Sequence, residues 1–319
     1  MRSTTTRTVQ SEGRPSRPAN AIEIRGLSKT FGKKHAVNNL NMTVPAGSIY
    51  GFIGENGSGK STTEKMICGL IHFDKGTIRL YGRDFTDPDV RAKIGVLIEA
   101  PGCFPNISVW NNMMLQAANL GLKNPEEEIA KVLKTVRMEG AASNKFKNCS
   151  LGMKQRIGIA FALLGKPSLL VLDEPINGLD ADGMRIMREV LTDITQHYGC
   201  TVLISSHILG ELEKIATHYG IIRHGKMIRE MTAQELASSC RTYVALKAEN
   251  SEQAKRILLT RFYRVEEDDA GFLRIYDMTT PEDVLTFLHE NNAAVSEIKT
   301  DRIGLEEYYS DLMNEEVHR

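Results

Sequence analysis

Apolar residues fall in short runs between charged and glycine-rich breaks, and the runs obey two different periods. Residues 22–27 (IEIRGL) and 36–44 (AVNNLNMTV) put apolar side chains at alternate positions, the spacing of a strand with one buried face, and predict an antiparallel pair. Residues 48–54 (SIYGFIG) form a nearly continuous apolar run, predicting a buried strand, followed by a glycine-rich turn and a helix from residue 60 to about 70. Residues 77–81 and 94–98 read as further strands. From 108 to 164 the spacing turns helical, with little strand character. Strand runs return at 169–172, 201–205 and 220–223, with helical stretches between. Strands alternating with helices argue for a parallel sheet covered on both faces. The helical block then reads as an inserted subdomain.

After about residue 230 a second pattern begins. Strand-like 242–247, helical 251–259, strand-like 263–265 and 272–276, helical 281–289 and strand-like 294–298 follow in turn. That is the βαββαβ order of a ferredoxin-like unit, and residues 305–313 add a last helix. The acidic run 266–269 reads as a solvated hairpin turn. Residues 1–20 are polar, lack periodic apolar positions and predict a disordered arm. The expected division is therefore an arm at 1–20, an α/β domain of mixed sheet at 21–232 with its helical subdomain at about 100–165, and an α+β accessory domain at 233–319.

Composition narrows the function classes. The 319 residues suit about two domains. Forty basic and forty acidic side chains cancel to zero net charge, without the basic surplus that nucleic-acid binding usually needs. No apolar run approaches the roughly 18 residues that span a bilayer, and no secretory core follows the N-terminus. The five cysteines are odd in number and at least 35 residues apart, which offers neither a disulfide framework nor a zinc site. These features together predict a protein of the reducing cytoplasm.

Chemistry enters at Gly54-Glu55-Asn56-Gly57-Ser58-Gly59-Lys60-Ser61, which matches G-x-x-x-x-G-K-[ST] between the buried strand and its helix. This is a P-loop: glycines allow backbone N–H groups to turn inward around phosphate, and the helix N-terminus favours the same charge. Lys60 reaches the β- and γ-phosphates, and the Ser61 hydroxyl suits Mg²⁺. Asn56, Gly57, Ser58, Gly59 and Thr62 complete the expected nucleotide contacts. The apolar run 169–172 ends in Asp173 and Glu174, where Asp173 suits the Mg²⁺ shell and Glu174 suits orienting or deprotonating water. Alone, two acids after a strand are commonplace; behind a P-loop they become specific.

With these motifs, the region from about residue 22 to 230 resembles the nucleotide-binding subunits of ABC transporters. Cys149-Ser150-Leu151-Gly152-Met153-Lys154-Gln155-Arg156 is similar to the family signature, Asn177-Gly178-Leu179-Asp180 to its D-loop, and Ser205-Ser206-His207 to its switch histidine. Phe31 stands where the family places an adenine-stacking aromatic. The resemblance implies ATP and Mg²⁺ as cofactors, ATP hydrolysis, and two cassettes face to face, with Ser150 and Gly152 of one acting on nucleotide held by the other. The partner cassette is most simply a second copy. It also implies separate membrane permease subunits and a place on the inner face of the cell membrane. Ordinary alternatives remain for single residues: Ser150 as a helix N-cap, His207 and Phe31 as packing residues, Trp110 as half-buried packing rather than a permease contact.

Two departures narrow the resemblance. The family usually has Gln after the strand that follows the P-loop helix; here that strand ends at Glu99, assigned with Ser61 and Asp173 to the metal, or else a tolerated variant. The signature carries Leu151 and Met153 for the usual Gly and Gln. Both features, with Ile98-Glu99-Ala100-Pro101 and Phe104-Pro105, resemble the ATPases of bacitracin- and lantibiotic-type transporters. The implied function is ATP-driven export of a membrane-active peptide or other amphiphile. The rival readings are an ABC-type ATPase acting on nucleic acid or ribosomes, for which a coiled-coil insertion or a second cassette is missing, and a regulatory ATPase without a permease.

Overall fold

In the computed structural model, residues 19–239, 242–268, 270–277 and 279–317 are described. The predicted arm lies, except for its last two residues, outside them. The chain forms two units, one of residues 1–208 and 215–230, the other of 209–214 and 231–319. The segment 209–214, inside the span expected for the α/β domain, thus groups with the C-terminal unit.

The first unit opens with β1 (Asn20–Phe31), antiparallel to β2 (Lys34–Pro45). Then come β3 (Ile49–Ile53), α1 (Lys60–Ile67), β4 (Lys75–Leu80), β5 (Arg83–Asp84), α2 (Pro88–Arg91) and β6 (Ile94–Leu97). β4 pairs with β1 and closes a four-stranded sheet in the order β2-β1-β4-β5. The helical insertion is α3 (Val109–Asn119), α4 (Pro125–Thr135) and α5 (Leu151–Leu163), followed by β7 (Leu169–Asp173), α6 (Ala181–Tyr198), β8 (Thr201–Ser206), α7 (Leu209–Glu213), β9 (His218–Arg223) and β10 (Lys226–Thr232). The second sheet runs β10-β9-β3-β8-β7-β6, with β9, β3, β8, β7 and β6 all parallel. Every residue of β3 and β8 is buried, as in strands covered on both faces. Because parallel strands end at the same edge, the P-loop after β3, the acids after β7 and His207 after β8 emerge side by side.

Inside the helical insertion the buried Asn112 replaces a backbone ladder. Its carbonyl oxygen accepts from Phe104 N at 2.7 Å, and its amide donates to Phe104 O and Ser108 O at 3.0 Å each. The loop between β6 and α3 is thereby fixed without regular structure.

The second unit contains α7, α8 (Ala233–Ser239), β11 (Thr242–Ala248), α9 (Ser251–Leu258), β12 (Val265–Glu267), β13 (Leu273–Ile275), α10 (Pro281–Glu290), β14 (Val295–Arg302) and α11 (Leu305–Val317). Its antiparallel sheet, β12-β13-β11-β14, has the strand order of the split βαβ arrangement. Ala254 and Leu258 of α9 and Val284 and Leu288 of α10 bury against Val244, Leu246, Leu273 and Ile275. In the acidic run Glu266 and Glu267 are exposed at the end of β12, and Asp268, half-buried, opens the turn to β13. Asp268 accepts from Phe272 N at 2.9 Å and binds the Arg274 guanidinium at 3.0 Å, bonds that hold its carboxyl below the usual carboxylate range against partial desolvation. Asp269 lies outside the described residues.

Candidate functional site

The P-loop closes on itself before any ligand is considered. Gly59 sits at φ +113°, and a Cβ there would stand 2.6 Å from the Ala36 carbonyl oxygen, so neither conformation nor space admits a side chain. The Lys60 ammonium, 5% exposed, donates to the carbonyl oxygens of Gly54 at 2.5 Å and Glu55 at 3.1 Å. A cavity of about 300 Å³ lies over the loop, lined by Asn56, Gly57, Gly59, Lys60, Ser61 and Thr62. Phe31, half exposed at the end of β1, forms one wall, and Asp173 and Glu174 another. Ser58 does not line this cavity; its hydroxyl is buried. Lys34 lines it too, a cation that nothing in the local sequence distinguishes from other exposed lysines.

The two acids are held differently. Ser61 Oγ donates to Asp173 Oδ1 at 3.3 Å, and Ser205 Oγ donates to the same oxygen at 2.8 Å. Glu174 stands at φ +50°, a conformation costly for a side chain of this size and kept where the surroundings over-determine it. Its backbone N–H is fixed by the carbonyl and hydroxyl oxygens of Ser205, at 3.2 and 3.1 Å. His207 Nδ1–H donates to Glu174 Oε2 at 2.8 Å, which leaves Nε2 for another partner. Ser205, buried and bonded to both acids, is a positioning residue that motif reading passed over; its place at the end of an apolar strand is a signal shared with many serines.

A hydroxyl and a carboxylate oxygen at one point beside a phosphate loop form the hard-oxygen donor set that Mg²⁺ takes, so Ser61 and Asp173 fit the implied ion. Behind them Glu64, fully buried on α1, faces Asp173, Ser205 and Lys60, yet neither carboxyl oxygen has a hydrogen-bond partner. Burial, then the Asp173 charge, pushes its pKa well above the usual carboxyl range.

Glu99 is not brought to this donor set. At φ +66°, its carboxylate takes a 2.6 Å ion pair with Lys65 on α1, which holds it below the usual carboxylate range. It is absent from the cavity wall, and the partner it takes is Lys65 of the P-loop helix. Ser150, Gly152 and Asp180 likewise do not line the cavity of their own chain. Ser150 caps α5, accepting from Met153 N at 3.3 Å, and Asp180 caps α6, accepting from Gly183 N at 2.8 Å.

Comparison with known proteins gives the same direction. Residues 37–177 match the family model described as ABC transporter. The chain is 36% identical to the uncharacterized ABC transporter ATP-binding protein YcbN of Bacillus subtilis (strain 168), over 92% of this chain and 97% of that one. It is 35% identical to the bacitracin transport ATP-binding protein BcrA of Bacillus licheniformis, with the same coverage. With the lantibiotic transport ATP-binding protein SrtF of Streptococcus pyogenes it shares 42% identity, over 66% of this chain and 90% of that one. Among solved structures, cbiO1 from Clostridium perfringens, part of the ABC transporter complex cbiONQ, superposes with a TM-score of 0.64 at 22% identity over 76% and 96% of the two chains. An ATP-binding cassette solved as a dimer in a post-hydrolysis state with ADP and Pi gives 0.60 at 22% identity, over 66% and 98%. At that identity both structures speak for the fold.

Proposed function

Because this chain belongs to the family of ABC transporter ATP-binding proteins, we propose that it hydrolyses ATP to drive export of a membrane-active peptide or related amphiphile through separate permease subunits. ATP binding and hydrolysis come with the family. The peptide cargo rests on the likeness to bacitracin and lantibiotic transport proteins, over nearly the whole chain for the first.

The observation that carries the mechanism is the hydrogen-bonded line from His207 to Glu174 and from Ser205 to both acids, beside the P-loop cavity. Phe31 offers its half-exposed ring to the adenine face. Backbone N–H groups of residues 57–62 and the α1 N-terminus take the phosphate oxygens, while Lys60 moves its ammonium from loop carbonyls to phosphate. Mg²⁺, when bound by Ser61 and Asp173, neutralises phosphate charge. Glu174 Oε orients a water toward the γ-phosphorus and takes its proton. His207, when it carries both ring protons, fixes that carboxylate through Nδ1–H and donates Nε2–H to the γ-phosphate. Ser205 keeps Asp173 and Glu174 in register, so that metal ligand and base move as one piece.

Ser150 and Gly152 complete the site from a second copy, and Asp180 lies at the facing surface. This agrees with their distance from the cavity wall of their own chain. The permease is received on the apolar groove of about 380 Å³ between β6 and α5, where Leu70, Val96, Ile98, Pro101 and Phe161 meet, near the exposed Phe104. No described helix is long and apolar enough to cross a membrane, so contact with the cell membrane runs through that permease.

The test is Glu174→Gln in the full chain. Its turnover is expected to fall by a factor of about 10² to 10⁴, the usual contribution of a positioned base, while ATP binding persists. With Mg-ATP the variant is expected to elute as a dimer in light scattering, and as a monomer without nucleotide. Unchanged turnover would remove Glu174 from the reaction, and a monomer at saturating ATP would remove the trans site.

A further inference from the structure

Phe31, which offers its ring to the adenine, stands at the tip of a hairpin. It ends β1 and pairs with Lys34, the first residue of β2, across a two-residue turn at Gly32 and Lys33. Two strands alone make a marginal structure in water, so a ring carried there keeps a fixed plane only where something beyond the hairpin holds the tip. Asp74, between α1 and β4, holds it. Asp74 Oδ2 accepts the Thr30 N–H at 2.7 Å, Oδ1 accepts the Lys29 ammonium at 3.1 Å, and the Asp74 N–H donates to Ser28 O at 2.8 Å. One residue thus binds the three consecutive positions that lead to Phe31. The Thr30 N–H, then Lys29, keep the Asp74 carboxyl below the usual carboxylate range.

Lys29 makes a second, independent link to the ring. Its side chain is largely covered, and its ammonium lies over Phe31 at 5.3 Å from the ring centroid. The cation is attracted to one face of the ring, which leaves the other face for a flat base. Neither Lys29 nor Asp74 lines the phosphate cavity, whereas Phe31 does. Any effect of the pair on nucleotide therefore passes through the ring.

We propose that Asp74 and Lys29 are positioning residues for base recognition: bonded to each other and to β1, they hold the Phe31 ring in the plane on which the base stacks. This rests on Phe31 meeting the base, and it brings a loop outside every motif of the site into nucleotide binding. The ordinary alternative is an ion pair that only steadies a turn. Such a pair, half open to solvent, contributes little and does not distinguish a base from a phosphate.

The experiment is calorimetric titration of the full chain with ATP in the absence of divalent metal, so that none is hydrolysed. Parent, Phe31→Ala, Asp74→Ala and the double variant are compared, each below its melting transition. Phe31→Ala is expected to weaken ATP by about 5- to 150-fold, the range for an aromatic removed from beneath a base. Asp74→Ala is expected to lose part of that stack, about 3- to 10-fold. In the double variant it is expected to add nothing, because the ring it acts through is gone. Lys29→Met keeps the apolar stem and the Asp74–Thr30 bond, and is expected to weaken ATP in the same direction by less. Inorganic tripolyphosphate, which has the phosphates without the base, is expected to bind the parent and Asp74→Ala alike. A role in turn stability alone would not move that ratio. Losses that add in the double variant, an Asp74→Ala protein that binds ATP as the parent does, or an equal loss for tripolyphosphate would overturn the proposal and leave Phe31 in place. An unchanged affinity in Phe31→Ala would instead remove the ring from base recognition, and the proposal with it.

Discussion

Glu64 occupies a position that ordinary packing would give to an apolar side chain: the inner face of α1, beside Met66 and Ile67. Its orphaned carboxyl carries a desolvation cost, and burial together with the Asp173 charge raises its pKa well above the unfolded value. The folded state therefore holds this proton more tightly than the unfolded chain. The associated stability is fully present below about pH 4.3, the unfolded value, and is lost as pH rises toward the folded one. Glu64→Gln removes the titration while keeping the shape. Between pH 6 and 8 the parent's urea midpoint is expected to fall further than that of the variant. Glu64→Leu removes the orphaned polar group as well and is expected to gain roughly 1–3 kcal/mol at pH 8. Parallel pH profiles for parent and Gln variant would show that Glu64 is satisfied in a way the packing does not reveal. A P-loop motif says nothing about the fourth residue after its lysine, so this acid became visible only when α1 was laid against β7.

At the scale of single elements, Ser150 carries two roles that one substitution separates. As the N-cap of α5 it accepts from Met153 N; as a signature residue it is proposed to meet the γ-phosphate on a second copy. Aspartate caps a helix as well as serine does, and adds favourable charge at the N-terminus. Ser150→Asp is therefore expected to keep the melting temperature within a degree or two of the parent, since substitutions that preserve a cap cost only tenths of a kcal/mol. ATPase turnover is expected to collapse, because a carboxylate would face triphosphate. Ser150→Ala gives the opposite balance, a stability loss of about 0.5–2 kcal/mol. If Ser150→Asp hydrolysed ATP normally, the serine would be a cap and nothing more. The same scale shows what could be read from sequence. Alternating and continuous apolar runs gave the strands of both sheets, because burial on one face or two imposes its own period. The βαββαβ order of the C-terminal unit followed from the same signal. The short β5 and α2, and the β10–α8 segment, escaped, since two to four residues, or a half-exposed edge strand, carry too few buried positions to show a period. Nor could spacing foresee that Glu99 would turn toward Lys65, or that Ser205 and Lys34 would join the site. Each depends on which neighbour the tertiary fold supplies.

Across the whole molecule, the division of the chain is not a simple cut. α7 belongs to the C-terminal unit although it follows directly on Ile208 of the first unit, and the chain then returns to β9. Leu209 and Leu212 of α7 are buried and the helix packs on α11, while Glu213 accepts the Leu305 N–H at 3.1 Å. The residue proposed to sense the γ-phosphate is thus two positions from a helix whose partners arrive about 90 residues later, as Gly210 and Glu306 also illustrate. Deleting residues 231–319 would leave that helix with an apolar face in water. A truncated chain is expected to melt lower than the parent nucleotide-binding unit, to aggregate on heating, and to lose turnover more than ATP affinity, because Lys60 and the P-loop are unaltered while His207 loses the anchor that follows it. Replacing Leu209 and Leu212 by Lys and Glu in the truncated chain is expected to restore solubility without restoring turnover. Steady-state ATPase rates, nucleotide affinity and melting of the three proteins together decide the matter. Full turnover in the solubilised truncation would mean that the β8–α7 junction is held by the first unit alone.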